Sequence, residues 1–306
     1  MRELLAVAPP APADHKYLQA KQARSGDLQV VPVDGSKLPA DSAVIIAETW
    51  KASKALREAN PDKLVFTAGD LLLTAQDVNG EIRSVQTIQE NGIKRFAVGG
   101  AKQDMFHVVG GKGLEALGKA PAIVIGEGYA TADTLSQALG YATVAAFDSG
   151  NLPNVAKQLR EKFPDKPFVI AGDEDAHLEL TEGKNPGKEK ALVAAKAVAG
   201  TAIFPIFAPG EQNYPMNLEP VTPSKARVGS LTDEQQKAIT KMKHYTDFND
   251  LATNSVLGRE GVERQVTAIV SNIIECQSVQ IVTEQRQEQK PFVKFEQQHH
   301  RQAIKM

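Results

Sequence analysis

Three apolar runs in this 306-residue chain end in acids. Ile123–Val124–Ile125 leads to Gly126-Glu127-Gly128, Thr143–Phe147 to Asp148, and Phe168–Ala171 to Gly172-Asp173-Glu174-Asp175. Carboxylates brought together repel one another, so a cluster of them calls for a compensating cation. An all-oxygen donor set selects a hard ion, Mg²⁺ first with Mn²⁺ able to substitute. Such an ion clamps the attacking and leaving oxygens of a phosphoryl displacement. The expectation is a magnesium-dependent phosphoryl-transfer site built from Glu127, Asp173 and Asp175. Helix capping is the competing role for such acids. It suits Glu174 better than metal binding does, and Asp148 fits either role. Glu127 lies between two glycines at a strand end, an unusual place for a structural acid, and Gly126 and Gly128 let backbone approach a phosphate.

The elements that must position these acids alternate regularly. Ile123–Ile125 is followed by a helix from about Ala130 to Leu139, stopped by Gly140. After Thr143–Phe147 a second helix starts near Asn151, with Pro153 in its first turn. Phe168–Ala171 is the third strand. Asn185-Pro186 caps an alanine-rich helix to Val198, and Ala202–Phe207 is a fourth strand. Strands without a polar face, separated by helices, predict a parallel sheet covered on both sides. Ligands bind such a sheet at the carboxyl ends of its strands, where these acids stand. Upstream, a short helix at Lys16–Arg24 precedes strands at Leu28–Val33, Ala43–Ala47, Leu71–Ala75 and Ile82–Ile88. Asn79-Gly80 and Asn91-Gly92 mark hairpins, so a small antiparallel sheet is expected there.

Forty-two per cent of the residues are hydrophobic and 24% charged, as in an ordinary globular protein. The formal net charge of −2 differs from the basic balance of a dedicated duplex binder, so any nucleic-acid contact must come from local patches. The single cysteine, Cys276, excludes an internal disulfide framework or a Cys-rich zinc module. No run approaches a membrane span, and Met1–Pro12 lacks the pattern of a secretory signal. A cytoplasmic protein with no membrane contact is expected. No Walker-A loop is present. His107 and His177 have no second histidine at ligand spacing, and Trp50 and the phenylalanines read as core.

Glu127-Gly128-Tyr129-Ala130-Thr131-Ala132, Phe147-Asp148-Ser149-Gly150-Asn151-Leu152, Gly172-Asp173-Glu174-Asp175-Ala176-His177 and Thr246-Asp247-Phe248-Asn249-Asp250-Leu251 resemble the Toprim domain of primases. The likeness is to primases of conjugative plasmids (the TraC type) and of satellite phages. It extends over roughly residues 14–255, taking in His15-Lys16-Tyr17-Leu18, Gly92-Ile93-Lys94-Arg95-Phe96 and Val98-Gly99-Gly100. The resemblance implies a Toprim-like α/β fold, with a parallel sheet, helices on both faces, a smaller α+β subdomain before it and a mainly helical segment after it. Its boundaries would be 1–13 (tail), 14–115 (α+β subdomain), 116–215 (Toprim domain), 216–275 (helical segment with the last acidic motif) and 276–306 (polar tail).

It implies synthesis of short RNA primers from NTPs on a single-stranded DNA template, in plasmid or phage replication or conjugation. A helicase or another replication or conjugation protein would be the partner. Glu127 would match the Toprim glutamate, credited with acid–base or metal-linked work, and Asp173 and Asp175 the metal pair. Asp247 or Asp250 would match the later acidic motif, so the metal candidates are Glu127, Asp148, Asp173, Asp175, Asp247 and Asp250. Arg83, Lys94, Arg95, Lys102, Lys184 and Lys188 would hold triphosphate and template, and Tyr129 can stack on a base. For Lys184 and Lys188 a solvated surface charge is the simpler role. Two rival readings share the motifs: a Toprim-type metal-dependent nuclease, and a non-catalytic DNA-binding replication protein.

Overall fold

The structure, a computed structural model, describes the backbone of residues 1–288 and the side chains of residues 1–276. In chain order the N-terminal part holds α1 (Arg2–Val7), α2 (Lys16–Lys21), β1 (Gln29–Val30), β2 (Val44–Ala47), α3 (Trp50–Ala59), β3 (Leu64–Thr67), β4 (Leu71–Gln76), β5 (Ile82–Ile88) and β6 (Lys94–Phe96). Next come β7 (His107–Val109), α4 (Gly113–Lys119), β8 (Ile123–Gly126), α5 (Tyr129–Leu139), β9 (Thr143–Ala145), a 3₁₀ turn at Ser149–Asn151, α6 (Leu152–Lys162), β10 (Phe168–Ala171), α7 (Ala176–Glu182), α8 (Pro186–Ala197) and β11 (Thr201–Ile203). The chain continues through α9 (Pro223–Arg227), α10 (Asp233–Met242), α11 (Phe248–Thr253) and α12 (Gly258–Glu288).

The parallel sheet is present, in the order β11-β10-β8-β9, with β7 added antiparallel beside β9. Successive side chains leave a strand on opposite faces. Ile123, Ile125, Phe168 and Ile170 therefore pack with Leu152, Leu159 and Ala194 of α6 and α8. Val124, Val169 and Ala171 pack with Leu135 of α5, Leu251 of α11 and Val262 and Val266 of α12. Helices cover both faces as expected, and burying both makes the strands uniformly apolar.

The N-terminal part is a four-stranded antiparallel sheet, β1-β4-β5-β6, with both expected hairpins in place. Beside it lies a separate unit in which β2 and β3 pair in parallel across α3. An isolated bridge, Gln76↔Phe106, joins the antiparallel sheet to the region before β7.

Four sequence expectations change. Residues 2–7 are a helix rather than a tail: Leu4 is fully buried against Val31, Phe66, Leu72 and Val85, a tertiary contact that local composition does not show. The α3–β3 segment and α7 were not expected. The polar stretch from 276 begins as the end of α12, which runs to Glu288, and its remainder lies outside the described residues. Trp50 is not core but 44% exposed. Among the described residues no helix is long and apolar enough to cross a membrane.

Candidate active site

The strand order decides which acids meet. β8 lies between β9 and β10, with Gly126 opposite Ala145 on one side and Ala171 on the other. Glu127, one residue past Gly126, therefore stands between Asp148 beyond β9 and Asp173 beyond β10. Asp247, the N-cap of α11, joins them from the C-terminal part. These acids line a cleft of about 510 Å³. Its opposite wall is made of Tyr17 and Lys21 from α2 and the Asn91–Lys94 stretch entering β6. The carboxyl ends of the parallel sheet thus face the N-terminal part across one opening.

The carboxylates are close enough to control one another. Burial raises the Glu127 pKa to about 7, and Asp175, Asp247 and Asp148 add to the rise, while the Asp173 backbone amide opposes it. Burial also pushes Asp173 well above the usual carboxylate range, helped by the charges of Glu127, Asp247 and Asp175. Asp247 is raised by burial and by neighbouring Asp250. Glu127 Oε1 and Asp173 Oδ1 are buried with no hydrogen-bond partner among the described residues. Polar atoms in that position are costly unless something pairs with them.

A cation of the chain's own stands nearby. Among the described residues Lys94 forms no ion pair, yet its ammonium feels the charges of Asp247, Asp173 and Glu127, while desolvation lowers its pKa overall. A β-carbon on Gly128 would lie 3.1 Å from Lys94 Nζ, so the glycine leaves room for this ammonium. Lys21 Nζ pairs with Asp250 Oδ1 at 3.2 Å, and the nearby Asp247 charge helps raise its pKa. Phe147, directly before Asp148, holds a left-handed backbone (φ 74°), and its ring meets Phe96 edge-on at 4.9 Å. A non-glycine residue held this way at a site edge is a locally strained one.

The other expected site residues have partners. Asp148 caps the 3₁₀ turn by accepting from the Asn151 amide (3.0 Å) and pairs with Lys102 at 2.5 Å. Asp175 accepts from the Gly187 amide at 3.0 Å, where α8 packs tightly on the Asp173–Asp175 loop. Asp250 accepts from the Thr246 amide and hydroxyl and from Asn254, besides Lys21. Its bonds are those of a structural acid, and it does not line the cleft.

Of the basic residues expected at the site, Lys94 alone lines the cleft. Arg83 pairs with Asp77 on the β4–β5 hairpin, Lys184 with Glu182, and Lys188 with Glu174. Arg95 leaves the opposite side of β6 and lies under Trp50. Tyr129 is buried and its hydroxyl donates to the Arg24 carbonyl at 2.8 Å, so its ring is not open to a base. Sequence reasoning did not assign Lys21 or Tyr17 to the cleft. His15-Lys16-Tyr17-Leu18 marked the right segment, but only folding shows that Asn249, Arg259 and Asp133 clamp residues 21–24 beside the acids.

For a divalent ion, the unpartnered oxygens of Glu127 and Asp173 are the fitting feature. Among the described residues no group of three or more His, Cys, Asp or Glu is arranged to hold a metal ion by itself.

No protein-family model matches the chain. It is 50% identical over 230 residues to a DNA primase TraC of Escherichia coli, covering 66% of this chain and 22% of that protein. A second Escherichia coli DNA primase TraC is 48% identical over 229 residues, covering 66% and 16%. The chain is a homologue of TraC primases. It spans about a fifth of the length of these relatives. Among solved structures, the DnaG primase catalytic domain bound to ssDNA aligns with 94% of both chains at a TM-score of 0.40 and 13% identity.

Proposed function

We propose that this chain is the nucleotidyl-transfer part of a DNA primase, joining ribonucleotides into short primers on single-stranded DNA. The observation that carries the reading is the cleft itself. Unpartnered carboxylate oxygens of Glu127 and Asp173 face the Lys94 ammonium, in a chain 50% identical to a TraC primase over 66% of its length. In this reading Glu127 and Asp173, with Asp247 beside them, would hold Mg²⁺ or Mn²⁺, and the bound ion supplies charge neutralisation at the phosphate oxygens. The Lys94 and Lys21 ammonium groups bind the triphosphate from the facing wall. Phe147 and Ala130 give the cleft an apolar border. The setting would be plasmid or phage replication or conjugation, beside a helicase or another replication protein.

The test is direct. The 306-residue chain is incubated with single-stranded DNA, labelled NTPs and Mg²⁺. Labelled oligoribonucleotides are expected, together with their loss in Glu127→Gln. Shortened template in place of new product would identify a nuclease instead.

A further inference from the structure

Three lysines stand beside the acids described above, and two of them are already paired. Lys102 holds Asp148 at 2.5 Å, and Lys21 holds Asp250 at 3.2 Å. The Lys94 ammonium has no hydrogen-bond or ion-pair partner among the described residues, although Lys94 lines the same cleft as Glu127, Asp173 and Asp247. Lys94 is the first residue of β6, the outer strand of its sheet, and follows the left-handed Gly92 (φ 85°) by two positions. Its flexible four-carbon stem therefore leaves an open strand edge and is free to swing. The ammonium rests beside Glu127. Chain neighbours aside, Lys94 Nζ is the one described atom within 4 Å of where a β-carbon on Gly128 would lie, at 3.1 Å. Gly128 has an extended backbone (φ −110°, ψ 167°) that any residue adopts, so its missing side chain serves this close approach rather than a turn. Desolvation lowers the Lys94 pKa, and the charges of Asp247, Asp173 and Glu127 oppose the fall.

Clustered carboxylates need a positive charge, and a lysine ammonium and a divalent ion would supply it at the same place. Two cations held there together repel each other. We infer that Lys94 is the resident counter-ion of this cleft, holding the place of the divalent ion and competing with it for Glu127, Asp173 and Asp247. The ion then binds at full strength only when the ammonium is drawn aside. In the primase reading the triphosphate draws it aside, so substrate and ion favour each other's entry. That clause rests on the primase reading; the competition itself does not.

The test uses Mn²⁺ alone as the probe, titrated calorimetrically into the full chain at pH 8 and low salt, without nucleotide or DNA. Lys94→Met should bind Mn²⁺ about 5- to 100-fold more tightly than wild type, the span of a typical coupling between two binding events. Lys94→Arg keeps the charge and should stay close to wild type. The gain should vanish in the Lys94→Met, Glu127→Gln double variant, which lacks the carboxylate that the ion and the ammonium contest. Removing the counter-ion also leaves the acids repelling one another, so Lys94→Met should unfold at lower urea in EDTA and recover more with Mn²⁺ than wild type does. Lys94→Gln repeats both measurements where Lys94→Met does not fold. Equal or weaker Mn²⁺ binding in Lys94→Met would overturn the inference, as would the same gain in Lys94→Arg or a gain that survives Glu127→Gln. Tighter Mn²⁺ binding by Lys94→Met of a chain that makes no primers would keep this inference and sink the primase reading. An active primase whose Mn²⁺ affinity ignores Lys94 would do the reverse.

Discussion

The acids at this site divide into two sets that differ in what surrounds them. Asp148, Asp175 and Asp250 accept from backbone amides, and Asp148 and Asp250 also pair with lysines. Glu127 and Asp173 each keep a buried oxygen with no donor, and Asp247, though it accepts from the Thr131 hydroxyl and the Asp250 amide, is also pushed toward protonation. Both sets are side-chain carboxylates. The difference is that the first set spends its charge on the fold, while the second holds charge that the fold leaves uncompensated. Function is expected where the charge is left over.

Activity should separate the sets most sharply. Asp173→Asn and Glu127→Gln are expected to lower primer synthesis by about 10²–10⁴-fold, the range for removing a group that acts on the reacting atoms. Asp148→Asn should cost only a few-fold in the same assay. Equal losses in both sets would erase the distinction.

Stability should move in the opposite sense. Asp250→Ala removes the acceptor of Thr246 and Asn254 and strands Lys21, so urea unfolding should show a loss of about 2–4 kcal/mol. In EDTA at pH 8, Glu127→Gln should instead gain about 1–3 kcal/mol, because it deletes a repelled charge. The gain should fade at low pH. A carboxyl with its folded pKa raised from 4.5 to about 7 binds its proton more tightly in the native chain, so stability falls as pH rises across that window. Wild-type chain in EDTA should therefore lose stability from about pH 5 to pH 8 through this group, while Glu127→Gln shows a flatter profile. A parallel profile in the two proteins would remove Glu127 from the strained set.

How far these sets could be read in advance depended on which physical level fixed each residue. The β8, β9 and β10 strands and their terminal acids were legible because double-sided burial imposes uninterrupted apolar runs. The hairpins were legible from Asn-Gly turns. The split between the two acid sets was not, since it depends on strand order and on partners far away in sequence, such as Lys21 for Asp250 and Gly187 for Asp175. α1 was missed because its six residues carry little local signal and owe their order to Leu4. Trp50 and Tyr129 exchanged roles for a similar reason. A large aromatic suggests core, but the indole starts an exposed helix, while the phenol lies buried under the N-terminal part.

All of this depends on Glu127 and Asp173 sharing one electrostatic environment. A double-mutant cycle of Glu127→Gln and Asp173→Asn, measured by urea unfolding in EDTA at pH 8, reads that coupling directly. The two single changes should together stabilise by more than the double variant does, by about 1–2 kcal/mol, because either one already relieves the repulsion. Strict additivity, within about 0.5 kcal/mol, would mean that the two carboxylates do not converge.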